Sequence, residues 1–139
     1  MIHRVTSERI EDLFSNEIFV FASNEAGRHN TENSKKALRF GAMLGRSAGM
    51  TGKTYAIPTN DFLQKKLPLF DIKLYVELFT RHARIRTDLV FLVTRIGCGV
   101  EGFQPEEIAP MFLDASKLEN VRLPQVFWDI FESEERRKR

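Results

Sequence analysis

Apolar and polar positions along this chain fall into short blocks whose period changes repeatedly. Ser7 to Phe14 places Ile10, Leu13 and Phe14 on one helical face with Ser7 as N-cap, which predicts a short N-terminal helix within residues 1–16. Glu17 to Ala22 (EIFVFA) is a continuous apolar run, the pattern of a strand buried on both faces. Asn30 or Thr31 can cap a helix reaching about Leu44, with Ala37, Phe40, Met43 and Leu44 as its inner stripe. Gly45 to Gly52 reads as a loop, and Lys53 to Ile57 as a second strand stopped by Pro58-Thr59-Asn60-Asp61. From about Asp71 to Arg84, Ile72, Tyr75, Val76, Phe79 and Ala83 share a clean helical face. Leu89 to Ile96 is the strongest strand signal. Pro105 opens a helix through Leu113, Asn120 to Leu123 is a short strand, and Gln125 to about Glu134 a last helix with a frayed basic tail.

This alternation predicts an α/β fold: three layers, α/β/α, around a mostly parallel sheet with right-handed crossovers. No repeat or linker-like stretch divides it, so residues 1–139 read as a single domain. Ligands of such sheets gather at the carboxyl ends of the strands. Those ends are the loops after Ala22, Ile57 and Ile96, and all three carry unusual polar or glycine-rich residues.

Composition narrows the function classes. Hydrophobic residues make up 42% and charged residues 29% of the chain, a globular balance far from disorder. A net charge of +2 argues against nucleic acid as a partner. The C-terminal Arg136-Arg137-Lys138-Arg139 follows Glu132, Glu134 and Glu135 and reads as a solvated helix end. A single cysteine excludes an internal disulfide and a cysteine-based zinc site. His3, His29 and His82 lack metal-ligand spacing, so neither a metal nor a cofactor is expected. No stretch has the length of a signal peptide's apolar core or of a membrane span, and the expectation is a cytoplasmic protein without a membrane partner.

The chemistry concentrates in two loops. Gly97-Cys98-Gly99-Val100-Glu101-Gly102 matches G-x-G-x-x-G literally. In the dinucleotide fingerprint the helix begins inside the motif, whereas here Pro105 delays it, and the motif follows the third strand, not the first. A phosphate-embracing loop of another architecture and a purely structural turn are the other readings. Cys98 within it is either a small core residue or a reactive thiol. Thr94 and Arg95 precede it, and alternation alone does not say which points to the strand end.

The loop after the first strand reads Ser23-Asn24-Glu25-Ala26-Gly27-Arg28-His29-Asn30 and runs into a helix N-terminus, a favourable place for an anion. Arg28 adds a bidentate donor, and Lys35 and Lys36 reinforce the positive field. His29 titrates near neutral pH and suits a general base; simple solvation of Arg28 and His29 is the alternative. Thr59, in the polar stop of the second strand, joins the candidate ligand-binding residues.

Together these loops resemble a macro domain, the ADP-ribose-binding module. Phe19-Val20-Phe21-Ala22-Ser23-Asn24 with Gly27 is similar to its strand and asparagine-containing loop. Ile96-Gly97-Cys98-Gly99-Val100-Glu101-Gly102-Phe103 is similar to its small-residue loop with a following aromatic, and Thr54-Tyr55-Ala56-Ile57-Pro58 to the strand between. The resemblance spans about residues 17–124 and extends to uncharacterised bacterial and phage proteins with a similar glycine loop. It implies binding of ADP-ribose or a related nucleotide derivative, with Gly97 to Phe103 wrapping the diphosphate, Asn24 facing the distal ribose, Arg28 with the following helix balancing negative charge, and Ser23 and Gly27 as further ligand-binding residues. It further implies Asn24 as the leading catalytic residue if an ADP-ribosyl bond is hydrolysed, with a water as nucleophile. The strand and adenine-binding aspartate that usually open a macro domain have no evident counterpart, which leaves the base undefined. Two other readings stand beside hydrolysis: a non-enzymatic binder of a nucleotide signal, and a protein-interaction module without ligand. In the last, Val126, Phe127, Ile130 and Phe131 cover the sheet or form a homodimer surface.

Overall fold

The computed structural model describes residues 3–28, 31–99 and 102–138. His29, Asn30, Val100, Glu101 and Arg139, to which the sequence assigns roles, lie outside them. The fold is mixed α/β, with a five-stranded, mostly parallel sheet and four helices. The strands are β1 (Glu17–Asn24), β2 (Gly49–Thr51), β3 (Thr54–Asn60), β4 (Val90–Val93) and β5 (Val121–Arg122). The helices are α1 (Glu32–Arg39), α2 (Leu69–Ile85), α3 (Pro105–Ile108) and α4 (Gln125–Arg137).

The sheet order is β2-β3-β1-β4-β5, and only β2 runs antiparallel. β1 is central, pairing in parallel with β3 through Phe19↔Thr54 and with β4 through Glu17↔Val90. Its eight residues are all buried, as a strand covered on both faces demands. Alternate side chains of the central strands enter two separate apolar clusters. Val20, Ile57, Phe91 and Val93 meet Ile72, Val76 and Phe79 of α2 and Phe127 of α4. Phe19, Phe21, Ala56 and Leu92 meet Ile10 and Ala37 of α1. Phe79 is the hub of the larger cluster, its ring set edge-on to Tyr55 and Phe91 at 5.2 and 5.5 Å.

Several boundaries differ from expectation, each for a local reason. No helix forms over residues 7–14. Eight residues are too few to hold a helix without packing, and the backbone just upstream is drawn into the sheet. Thr6 N donates to Leu123 O at 2.9 Å and Leu123 N to Arg4 O at 3.0 Å, giving a parallel bridge Val5↔Leu123. The Ser7 hydroxyl donates to Arg9 O at 3.1 Å and so serves as no cap, while Ile10 still plugs into the core.

Helix α1 is capped by Thr31 in a box with Ser34, but stops at Arg39, well before Leu44. Gly41 N donates to Leu38 O and Ala42 N to Ala37 O, with Gly41 at φ +110°, which is a Schellman stop. Met43 and Leu44, expected on its inner stripe, are instead 55% and 71% exposed. Residues 49–51 of the expected loop form β2. β3 continues through Pro58 to Asn60, because β2 pairs only as far as Ala56 and asks no N–H of Pro58. β4 is half its expected length, ending at Val93. Beyond Pro105, which does open α3, the helix lasts four residues and tightens into a 3₁₀ turn over Ala109–Phe112. α4 stays regular to Arg137, through most of the tail expected to fray. No helix among the described residues is long and apolar enough to cross a membrane.

Candidate functional site

β1 leads leftward in the sheet to β3, and β4 leads rightward to β5, so the connections diverge beyond the carboxyl ends of β1 and β4. Such a switch point opens a crevice. A cleft of about 620 Å³ lies there. Ala22, Ser23 and Asn24 from β1, Asn60 from β3, and Thr94, Arg95 and Cys98 after β4 contribute to its lining. Arg28, Gln64 and the first turn of α1, Thr31 to Ser34, complete it.

The end of β1 is tied down by side chains. Asn24 is 4% exposed; its Nδ2 donates to Arg28 O at 2.8 Å and to Gln64 Oε1 at 3.4 Å. Its Oδ1 accepts from Arg28 N at 3.1 Å. The carboxamide thus closes the loop like a turn, a habit of asparagine at strand ends. The Ser23 hydroxyl donates to Ser47 O, which links this loop to the segment before β2. A register shift in the β1–β3 pairing between Ser23 and Asn24 sets Asn24 opposite Asn60. Asn60 Nδ2 then donates to Gln64 O at 3.2 Å, while Asp61 Oδ1 accepts from Leu63 N and Lys65 N. Gln64, at φ +66°, is the non-glycine residue in the left-handed region among the described residues, held by these bonds.

The residues named from sequence divide three ways. Ser23, Asn24, Arg28 and Cys98 line the cleft. Gly27, Thr59, Gly97 and Phe103 are buried outside its lining. Thr59 is fully buried and donates to Asn60 Oδ1 at 2.7 Å. Phe103 is 4% exposed, with the Lys66 ammonium 4.8 Å from its ring centroid. Gly99 and Gly102 are exposed and also lie off the lining. The loop folds back on itself, Gly102 N donating to Gly99 O and Phe103 N to Gly97 O, both at 2.9 Å.

Thr94 and Arg95 both reach the cleft. The Thr94 hydroxyl donates to Val20 O at 2.8 Å, and Arg95 Nη2 meets Glu8 Oε1 at 2.7 Å. Gln64, Asn33 and Asn60 escaped the sequence reading; polar residues after a strand end were the available signal, and it was spent only on Thr59. Of the two lysines, Lys35 is exposed off the cleft, while Lys36 lines a smaller chamber beside it. That chamber, of about 260 Å³, shares Asn33, Thr94 and Arg95 with the cleft.

Away from the cleft, His82 lies against Tyr55, Phe91 and Met50 Sδ, and burial lowers its pKa, assisted by Arg86. Burial and the neighbouring Glu25 carboxylate raise that of Tyr75, whose hydroxyl donates to Glu25 at 3.3 Å.

No family model matches the chain, and no curated protein matches it in sequence. A protein of unknown function from Bacteroides thetaiotaomicron has a similar structure. The TM-score is 0.61 at 11% identity, over 82% of this chain and 90% of that one. The shared feature is the mixed α/β fold.

Proposed function

We propose that this chain is a macro domain-like protein, three-layered α/β/α, that binds ADP-ribose or a related nucleotide derivative in the cleft beyond β1, β3 and β4. The observation that carries the reading is a polar cleft at the switch point with two guanidinium groups on its lining. Arg28 and Arg95 stand beside the carboxylate of Glu32 on the described lining, and Arg95 is also paired with Glu8 at 2.7 Å. The first turn of α1 adds its partial positive charge on the same side. Apolar clusters on both faces of the sheet support the layered arrangement. A cytoplasmic setting suits Cys98, a half-buried thiol on the cleft.

Within this reading, binding without turnover is favoured over hydrolysis of an ADP-ribosyl bond. Asn24, the leading catalytic candidate, spends both ends of its carboxamide on Arg28 and Gln64. Titration calorimetry with ADP-ribose tests the pocket: saturable heat at micromolar to millimolar ligand is expected, and none at millimolar ligand sinks the reading. Release of ADP-ribose from a modified protein, abolished in Asn24→Ala, would restore the hydrolase.

A further inference from the structure

Helix α2 carries two apolar stripes. One, Ile72, Val76, Phe79 and Ala83, is fully buried in the larger cluster. The other consists of Phe70, Leu74, Leu78 and Ile85, which are 69%, 46%, 52% and 73% exposed. At about 100° per residue, these four fall within about 80° of one another and roughly opposite the buried stripe. The second stripe therefore points away from the core. Beside it, a hollow of about 390 Å³ lies between α2 and the edge strand β2, with Gly49, Tyr55, Leu78 and Ile85 in its lining. The apolar side chains of α4 offer no comparable face, since Val126, Phe127, Ile130 and Phe131 are spent on the core.

The charges along this stripe are ordered. Glu77, Arg81 and Arg84 are all exposed on α2, Arg81 within the stripe and the other two on one flank of it. No ion pair joins any of the three to another group among the described residues. Pairing this helix in parallel with a copy of itself would set Glu77 on Glu77 and Arg84 on Arg84, like on like. Antiparallel pairing reverses the order. With Leu74 against Ile85 of the other copy, Leu78 packs on the stem of Arg81, and Glu77 falls between Arg81 and Arg84. A twofold axis makes each of these contacts twice. Arginine suits that place, because its stem can cover a leucine while its guanidinium takes a carboxylate.

We propose that the exposed face of α2 docks against the same face of a second copy of this chain, antiparallel about a twofold axis. Leu74, Leu78 and Ile85 form the apolar seam, and Glu77 of each copy lies between Arg81 and Arg84 of the other. The occupant is a second copy because this one helix supplies both halves of the charge match. One helix per copy makes a contact at the small end of specific interfaces, below about 1,200 Å². The dimer therefore forms and dissociates with concentration. It stands or falls independently of what the cleft binds.

Sedimentation velocity of the whole chain, from micromolar to near-millimolar concentration, reads the association. A rise from monomer to dimer is expected, and a monomer throughout overturns the proposal. Leu78→Glu alters an exposed side chain and should weaken the dimer at least tenfold with Tm unchanged. A dimer that persists in Leu78→Glu lies on another surface and equally overturns it. Glu77→Arg brings three guanidinium groups together, and Arg81→Glu with Arg84→Glu brings three carboxylates together. Each of these variants alone should associate at least tenfold more weakly than the parent, since like charges across an interface are costly. Mixed one to one, they should form a heterodimer within about threefold of the parent's affinity, because each now meets its opposite charge. A mixture that stays monomeric, while both variants keep the parent's circular dichroism, overturns the antiparallel match.

Discussion

Asn24 and Arg28 are tied together twice: the asparagine carboxamide accepts from Arg28 N–H at 3.1 Å and donates to Arg28 O at 2.8 Å. Four residues are thereby folded into a loop at the end of the central strand, and Arg28 is brought to the cleft. Removing the carboxamide leaves the Arg28 N–H and C=O, in part-buried hydrogen bonds, without their partner. Asn24→Ala should cost about 2 kcal/mol, within the usual range of about 1–3 for an unmade buried hydrogen bond. Amide exchange at Arg28 should accelerate in step. Unchanged stability together with unchanged exchange at Arg28 would show that the loop is held elsewhere.

Gly27 is the backbone counterpart of that tie. It sits at φ +69°, and a Cβ built there would lie 2.5 Å from the backbone carbon of Gly45. Gly45 N also donates to Gly27 O at 3.0 Å, so the two loops are pinned face to face. The close atom is backbone and cannot swing away as a side-chain end would. Gly27→Ala should therefore destabilise by about 2 kcal/mol or more, combining left-handed strain with overlap. Chemical denaturation measures it; a loss under half a kilocalorie would mean that the Gly45 loop yields freely.

How much of this was legible in the sequence depends on what holds each element. β1 and α2 are specified by their own patterns, a run of apolar residues and a stripe at helical spacing, and they appear where those patterns put them. The N-terminal segment carries a helical stripe too, yet Leu123, more than a hundred residues away, claims its backbone. Nothing local announces that. α1 shows the opposite failure: its stop was written locally in Gly41, but the apolar Met43 and Leu44 beyond it suggested continuation. At the cleft, strand ends could be read and side-chain direction could not. Phe103 follows the glycine loop in sequence but is buried off the cleft, and Gln64 arrives from a loop that no pattern marked.

His82 gives a pH dependence with a definite sign. Burial against Tyr55 and Phe91 lowers its folded pKa, with the positive charge of Arg86 as the lesser cause. The unfolded chain, with histidine near 6.5, therefore takes up a proton at a pH where the folded one still resists it. Stability is full above about pH 6.5 and falls as the pH drops from there toward the folded pKa. His82→Gln should flatten the decline of the denaturation midpoint between pH 7.5 and 5.5, before the carboxylates titrate. An identical decline in both proteins would assign it to another group.

Arg95 reaches the cleft while paired at 2.7 Å with Glu8, across side chains 55% and 76% exposed. An exposed pair of this kind contributes little to stability, about 0–1 kcal/mol, and is weakened by salt. Arg95→Gln should thus leave Tm within about 2 °C of the parent, given the few degrees that each kilocalorie moves a domain of this size. Its effect on an anion should be far larger, because a charge-assisted bond is worth about 1.5–3 kcal/mol. Pyrophosphate affinity is expected to fall about tenfold in Arg95→Gln and to lose part of its salt dependence. Glu8→Gln should do the reverse, strengthening pyrophosphate by freeing the guanidinium from its carboxylate. Calorimetry at two salt concentrations separates the cases: equal losses in both variants would mean that the pair acts as a structural strut, and that the anion is held by Arg28 alone.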